Sequence, residues 1–417
     1  MKIYRHLTLK KKAFFVLFLY MMAFGYLYAY FLQHVSIEVA HVLSPQNINI
    51  GKRTFTEMKV KNRVEMKPSL TAKYYKITRN VKPNIRKSNS RQENPKLNDF
   101  DIEQKQHQIN KEQTFRKSYA REFQYPLYTN LKELVLKLES GETTDIEPIN
   151  PHSYKLIFSP RHSCQYNSNV PDPKIVVLVK SSVTNFEKRQ TIRNTWAKSM
   201  QSNMHIVFLL GLPEDKKVTI WKESSENGDI IQEEFLDSYR NNTLKMIMGF
   251  RWAASYCQST DFLFFVDDDY YVNLDNLLTF VQSKSPNDRL NVFTGTLLPH
   301  STPYRVAGSK WFVPWEEYPF DKWPPYLAGG AYIVSMDLAR KFNIAFPYVR
   351  YLYIDDAYLG IVAKKLEIKP TSNKFIGYRR MPKSALKHLI ASHGYSKTQD
   401  VENAWMFLRA QTMKLSI

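Results

Sequence analysis

Three consecutive carboxylates, Asp267, Asp268 and Asp269, follow DFLFFV, the most apolar of the strand-like runs in the chain. Adjacent like charges repel, so such a triplet is tolerable in a folded protein where water reaches it or a hard cation neutralises it. Carboxylate oxygens combined with substrate phosphates suit Mn²⁺ or Mg²⁺. An acidic loop capping a helix that starts near Leu274 would use the same residues for structure alone. A second acidic pair, Asp355 and Asp356, opens an apparent helix with Tyr358, Ile361, Val362 and Leu366 on its apolar side, and N-cap duty for one of the two is the plain reading. Between the clusters lies KWPPYLAGGAYIVS (322–335), where Pro324 and Pro325 stiffen the entry and Gly329 and Gly330 permit positive φ or close backbone approach to a ligand. A structural turn and a sugar pocket fit that composition equally. Trp311, Trp315, Trp323, Tyr326 and Tyr332 could stack on pyranose faces or fill a core. No GxGxxG, GxxxxGK[ST], GxSxG or HExxH string occurs. Dinucleotide oxidoreduction, P-loop phosphoryl transfer, elbow-type serine hydrolysis and zincin proteolysis therefore lose sequence support. Metal-assisted chemistry on a phosphate-bearing ligand is what is left.

The elements that must position these residues alternate. LKELVLKLESG has Leu131, Leu134, Val135 and Leu138 at i, i+3, i+4 and i+7, with Gly141 to end the helix. KIVVLVKSS (174–182) and HIVFLLG (205–211) are continuous apolar runs of the kind that doubly covered strands need, and DFLFFV (261–266) is a third. FEKRQTIRNTWAKSM, KKVTIWKESSENG and NTLKMIMGFRWAASYC read as intervening helices, and DIIQEEF as a short strand. Strands alternating with helices imply an α/β domain with a mainly parallel sheet covered on both faces. Ligands in such sheets sit beyond the carboxyl ends of the strands, where the Asp267–Asp269 triplet stands.

The net charge of +20 (59 Lys and Arg against 39 Asp and Glu) is unevenly spread. Residues 1–12 carry five cations and no acid, and residues 33–122 a net +10, which leaves +5 for everything else outside the uncharged stretch 13–32. The folded part is only mildly basic, which argues against nucleic acid as a partner. Ala13–Leu32 is twenty residues without a charge, enough to cross a hydrocarbon core of about 30 Å. The five cations before it put the N-terminus in the cytosol by the positive-inside rule. The run is longer than a signal-peptide core, and no small-x-small cleavage site follows it, so a retained anchor is the expectation. From His34 to about Phe123 no helical or strand period is sustained, and polar residues dominate: a solvated, disordered stem. The expected organisation is a cytoplasmic tail (1–12), a transmembrane signal-anchor (13–32), a basic flexible stem (33–123) and a lumenal catalytic domain (124–417). Cys164 and Cys257 are the only cysteines, so one disulfide is the only intramolecular pairing available, and an oxidising lumen would allow it. Asn241-Asn242-Thr243 is a glycosylation sequon, usable if that domain is lumenal.

Six segments in order, KRQTIRNTW (188–196), FLLG (208–211), DIIQEEFLDSYRNNTLK (229–245), FVDDDYYVN (265–273), WPPYLAGGAYIVS (323–335) and IDDAYLG (354–360), resemble the β-1,3-glycosyltransferase family of the Golgi. The resemblance spans about residues 150–395, and the wording is most like the Brainiac-type N-acetylglucosaminyltransferases. It departs where IDDAY replaces the family's more usual EDVY and Ala331 a small residue such as a third Gly. The resemblance implies a GT-A type nucleotide-sugar transferase fold, a type II Golgi membrane protein, and metal-dependent inverting transfer from UDP-galactose or UDP-GlcNAc to the 3-hydroxyl of a glycan on lipid or protein. It makes Asp269 the direct ligand of Mn²⁺ (or Mg²⁺), with Asp267 on the metal and facing the uridine side, and His393 of LIASHGYS a further metal ligand. Asp356 becomes the general base, with Asp355 its rival. Arg189 and Arg193 would hold phosphate or nucleotide, and Asp268, Gly329 and Gly330 would line the nucleotide-sugar site. Two other functions fit the same residues: a membrane-tethered glycan-binding protein without turnover, and a metal-dependent lumenal phosphohydrolase using Asp267–Asp269.

Overall fold

The computed structural model describes residues 130–415, apart from 161–163, 165, 167–168, 170–172 and 216–218. The tail, the membrane anchor and the stem expected over residues 1–123 lie outside the described residues. Among the described residues no helix is long and apolar enough to cross a membrane.

Helix α1 (Leu131–Glu139) is capped by the Asn130 side chain and buries Leu131, Leu134 and Val135. Strand β1 (Leu156–Phe158) is short, and β2 (Ile175–Lys180) is buried along its whole length. There follow α2 (Phe186–Asn194), β3 (Met204–Leu212), α3 (Trp221–Asn227), β4 (Ile230–Leu236), α4 (Asn242–Tyr256) and β5 (Phe262–Asp267). Helix α3 stops where Gly228 takes φ +63°, a left-handed C-cap. Beyond β5 come β6 (Tyr270–Val272), α5 (Leu274–Gln282), α6 (Pro286–Arg289), β7 (Phe293–Leu298), β8 (Tyr326–Ser335), α7 (Met336–Ala345) and α8 (Asp355–Lys365). The chain closes with β9 (Thr371–Ser372), β10 (Ile376–Gly377), β11 (Ala391–His393) and α9 (Thr398–Leu415).

The main sheet has the order β1-β4-β3-β2-β5-β8-β7-β9. Strands β4, β3, β2 and β5 are parallel neighbours, joined by the crossover helices α3, α2 and α4 that parallel pairing requires. Strand β8 is antiparallel to both β5 and β7, and β1 is antiparallel to β4. The sheet is thus mixed rather than mainly parallel. The strand–helix alternation that implied parallel pairing ends at β5, and β7 reaches β8 through an irregular connection instead of a crossover helix. A second, three-stranded sheet has the order β10-β11-β6.

Alternate residues of the central strands face opposite ways, as the pleat dictates. Val176, Leu178, Leu209, Leu263 and Phe265 join α1, α4, α7 and α8 in one core. Val177, Val179, Phe208, Leu210, Phe264 and Val266 meet α2, α5 and α9 in the other. Cys164 and Cys257 are joined with their Cα atoms 5.0 Å apart, tying the segment before β2 to the C-terminus of α4.

Candidate active site

The register of β2 on β5 sets Lys180 directly beside Asp267, at the carboxyl ends of the two central strands. Lys180 is 7% exposed, and its ammonium has three protons to place. Its Nζ lies 3.0 Å from Asp267 Oδ1 and donates to Asp355 Oδ2 at 2.8 Å and to Gly329 O at 2.9 Å. One buried cation therefore ties the end of β5, the middle of β8 and the start of α8 together. Burial opposes the charge, but Asp267 and Asp355 outweigh it and hold the ammonium well above the usual lysine range. This lysine was not among the residues singled out from the sequence. Its signal was a lone cation ending the otherwise apolar IVVLVK, where a charge without a partner would be costly.

The two acidic clusters meet at this lysine. Burial, aided by Asp355 and Asp269, pushes the Asp267 carboxyl up to about 6 against the pull of Lys180. Asp356 accepts from Gly329 N at 3.2 Å and from Ala357 N at 2.8 Å. Burial and the neighbouring Asp355 charge push the Asp356 carboxyl up to about 7, against those two N–H groups and Lys180. Neither aspartate serves as the N-cap: that position is Ile354, without a side-chain cap. Asp355 neutralises Lys180, and Asp356 keeps a carboxyl poised near neutrality.

Gly329 and Gly330 lie within β8 and neither has positive φ, so they are not the turn their composition suggested. They are small because side chains cross the strand there. A Cβ on Gly330 would come within 2.3 Å of the Tyr270 hydroxyl, and one on Gly329 within 3.1 Å of Asp356 Cβ. Gly329 spends both backbone groups on the site, its N–H on Asp356 and its carbonyl on Lys180.

Asp268 points away from this group. Its carboxylate accepts from Ser181 Oγ at 2.7 Å, Asn185 Nδ2 at 2.8 Å and Lys188 Nζ at 3.0 Å, so it fastens the loop after β2 to the acidic turn. Arg189 and Arg193, expected to hold phosphate, are turned inward. The Arg189 guanidinium is fully buried and donates to Glu223, to Ser181 Oγ and to the carbonyls of Ser182 and Val183. Arg193 pairs with Glu223 and Asp229 and covers the Phe208 ring. Buried guanidiniums need such partners: Arg189 braces the loop after β2, and Arg193 ties α2 to α3 and to the residue before β4.

Asp269 and His393 come together through the small sheet, where β11 pairs antiparallel with β6 and His393 sits opposite Tyr270. His393 Nε2 is 3.2 Å from Asp269 Oδ2, and Tyr395 N donates to Asp269 O at 2.9 Å. Burial pushes the Asp269 carboxyl up, but His393 and Lys188 outweigh it and hold it below the usual range; the same contact raises His393 against its own partial burial. Asp269 Oδ1 is buried and has no hydrogen-bond partner among the described residues. An orphaned carboxylate oxygen beside an imidazole fits a divalent cation such as Mn²⁺. Among the described residues no three His, Cys, Asp or Glu side chains converge on one ion. Asp267 lies on Lys180 instead, so phosphate and water oxygens would complete the coordination.

Of the aromatic side chains near the Gly-Gly stretch, Trp323 and Tyr332 are buried, while Trp311 is exposed. Asn241 of the sequon is partly exposed and donates its amide to Leu236 O, and Thr243 is buried with its hydroxyl on Leu352 O.

Comparison with known proteins bears directly on this arrangement. The Galactosyltransferase family model matches residues 187–374, a span that takes in both acidic clusters but neither Lys180 nor His393. The chain is 40% identical over 242 residues to beta-1,3-galactosyltransferase brn of Drosophila melanogaster, covering 56% of this chain and 73% of that one. It is 33% identical over 265 residues to beta-1,3-galactosyltransferase 1 of Mus musculus (62% and 79%). It is 30% identical over 305 residues to lactosylceramide 1,3-N-acetyl-beta-D-glucosaminyltransferase of Rattus norvegicus (69% and 78%). With identities of 40% and 33% over 73% and 79% of the first two of these relatives, the chain belongs to the β-1,3-glycosyltransferase family of enzymes.

Proposed function

We propose that this chain is a metal-dependent, inverting β-1,3-glycosyltransferase of GT-A type, anchored in the Golgi membrane through residues 13–32, with its catalytic domain in the lumen. The donor is UDP-GlcNAc or UDP-galactose, and the acceptor is the 3-hydroxyl of a glycan on lipid or protein. The relatives named above act as galactosyl- or N-acetylglucosaminyltransferases by their names, which supports both donors alike. The observation that carries the reading is the division of labour around Lys180: one carboxyl, Asp355, paired with the lysine, and a second, Asp356, pushed up to about 7.

A general base works best with a pKa near the working pH. Asp356 takes the proton of the acceptor hydroxyl as that oxygen attacks the anomeric carbon from the face opposite the diphosphate. The C–O bond to the β-phosphate breaks, and UDP leaves with the electron pair. Mn²⁺ held by Asp269 and His393 would supply Lewis-acid neutralisation of the diphosphate charge. Lys180 holds Asp355 and the Gly329 carbonyl, and Gly329 N–H in turn orients Asp356, so the base is positioned before substrate arrives.

The two clusters fail differently when broken. Asp269→Asn is expected to weaken Mn²⁺ and UDP binding in calorimetric titrations. Asp356→Asn is expected to keep UDP affinity while turnover falls by about 10²- to 10⁴-fold. Near-normal transfer by Asp356→Asn together with an inactive Asp355→Asn would move the base to Asp355. Equal losses of folding stability in both variants, with activity following the amount of folded protein, would reduce both clusters to structural roles.

A further inference from the structure

The connection between β7 and β8 is irregular but firmly built. The Arg305 guanidinium donates to Val313 O at 2.7 Å, Tyr318 O at 2.8 Å and Phe320 O at 2.6 Å, and lies 3.8 Å over the Trp315 ring. Val313 N donates back to Tyr304 O at 2.9 Å, and Gly308 turns the loop with φ +93°. These bonds bring the rings of Tyr304 and Trp311 to 5.3 Å. Trp311 Nε1 donates to Tyr239 Oη at 2.8 Å, which links the loop to the segment after β4. Lys310 Nζ sits 4.5 Å from the Trp311 ring and 5.0 Å from that of Tyr239.

Tyr239, Tyr304 and Trp311 are 46%, 55% and 40% exposed. Single exposed aromatics are ordinary, but three held side by side by hydrogen bonds are a preformed apolar surface. Its place is informative. Tyr351 Oη donates to Arg240 O at 2.9 Å and the Tyr353 hydroxyl donates to Phe312 O, so the segments carrying Tyr239 and Trp311 are fastened to the stretch that leads into Asp355 and Asp356. The surface therefore stands beside the acidic pair that opens α8.

We propose that Trp311, Tyr304 and Tyr239 form the acceptor platform: the C–H face of a hexopyranose ring of the acceptor glycan lies on the Trp311 and Tyr304 rings, with its 3-hydroxyl towards Asp356. This rests on the transferase reading above. The base must touch the acceptor hydroxyl, so a ring surface beside the base belongs to the acceptor. The uracil of the donor lies a diphosphate and a ribose away from the reacting carbon.

Full-length chain in detergent, as wild type, Trp311→Ala, Tyr304→Ala and Trp311→Phe, would be assayed with both UDP-sugars against methyl β-D-galactopyranoside and methyl β-D-mannopyranoside. Trp311→Ala and Tyr304→Ala are expected to raise the acceptor KM by about tenfold, with donor KM and kcat at saturating acceptor nearly unchanged, and Trp311→Phe to retain most affinity. An unchanged acceptor KM, or a rise confined to donor KM, would overturn the platform while leaving transfer intact. A wild-type chain that transfers nothing defeats the transferase reading instead. Tryptophan fluorescence titrated with the same glycosides without donor still reads the platform: a saturable change lost in Trp311→Phe supports it, and its absence from the wild type counts against it.

Discussion

At the scale of single residues, the chemistry depends on Lys180 dividing the carboxylates into unequal partners. Asp355 is spent on the lysine, and Asp356 is left facing burial and a neighbouring negative charge. Activity that needs Asp356 ionised should rise with pH through about 7, the value to which its carboxyl is pushed. The same group affects stability with the opposite sign. Its folded pKa lies above the unfolded value of 3.8, so the stability it contributes is complete below about 4 and lost as pH rises through about 7. Asp356→Asn should therefore be at least as stable as wild type at pH 8, with its advantage shrinking towards pH 4; thermal denaturation across that range checks it. Lys180→Met removes the partner of two carboxylates, and we expect a loss of several kcal/mol together with loss of activity. Arg189→Ala should lower the melting temperature while the donor KM of the surviving folded enzyme stays near wild type, because its guanidinium is bonded to Glu223 and the 181–183 loop.

At the scale of elements, β2, β3, β4, β5 and the helices between them were legible because apolar runs and helical periods alternate cleanly in that half. Strand β8 was not, since two adjacent glycines in LAGGAY read as a turn, whereas in the sheet they admit Tyr270 and the α8 aspartates from neighbouring elements. No local pattern carries that information. The three-stranded sheet was equally hidden: β6, β10 and β11 span two or three residues each, too short for any periodicity, yet they bring His393 to Asp269. The motif wording located both acidic clusters and the histidine; it did not tell buried structural arginines from ligands, because burial is a property of packing. The close approach at Gly330 has a measurable consequence. Gly330→Ala would drive a methyl group against the buried Tyr270, for a cost of about 1–3 kcal/mol in urea denaturation and reduced transfer. Adding Tyr270→Phe, which removes the colliding hydroxyl, should recover part of both.

At the scale of the whole molecule, the proposal that residues 13–32 anchor the chain and leave its enzyme domain in the lumen is open to a direct test. Protease added outside intact microsomes should then leave residues 33–417 protected, and Asn241→Gln should remove one glycan's mobility shift; digestion of the C-terminal bulk would contradict the topology. The Cys164–Cys257 link closes a loop with a sequence separation of 93, and its removal in a Cys164→Ala, Cys257→Ala pair should cost about 4 kcal/mol. The proposed reaction is defined by what leaves the site and in which configuration. Full-length chain in detergent with Mn²⁺, UDP-GlcNAc or UDP-galactose and a β-galactoside or β-mannoside acceptor is predicted to release UDP in step with a new β-1,3 linkage, seen by NMR, and to stop when the metal is chelated. Release of inorganic phosphate, an α-linked product, or undiminished transfer after chelation would contradict it.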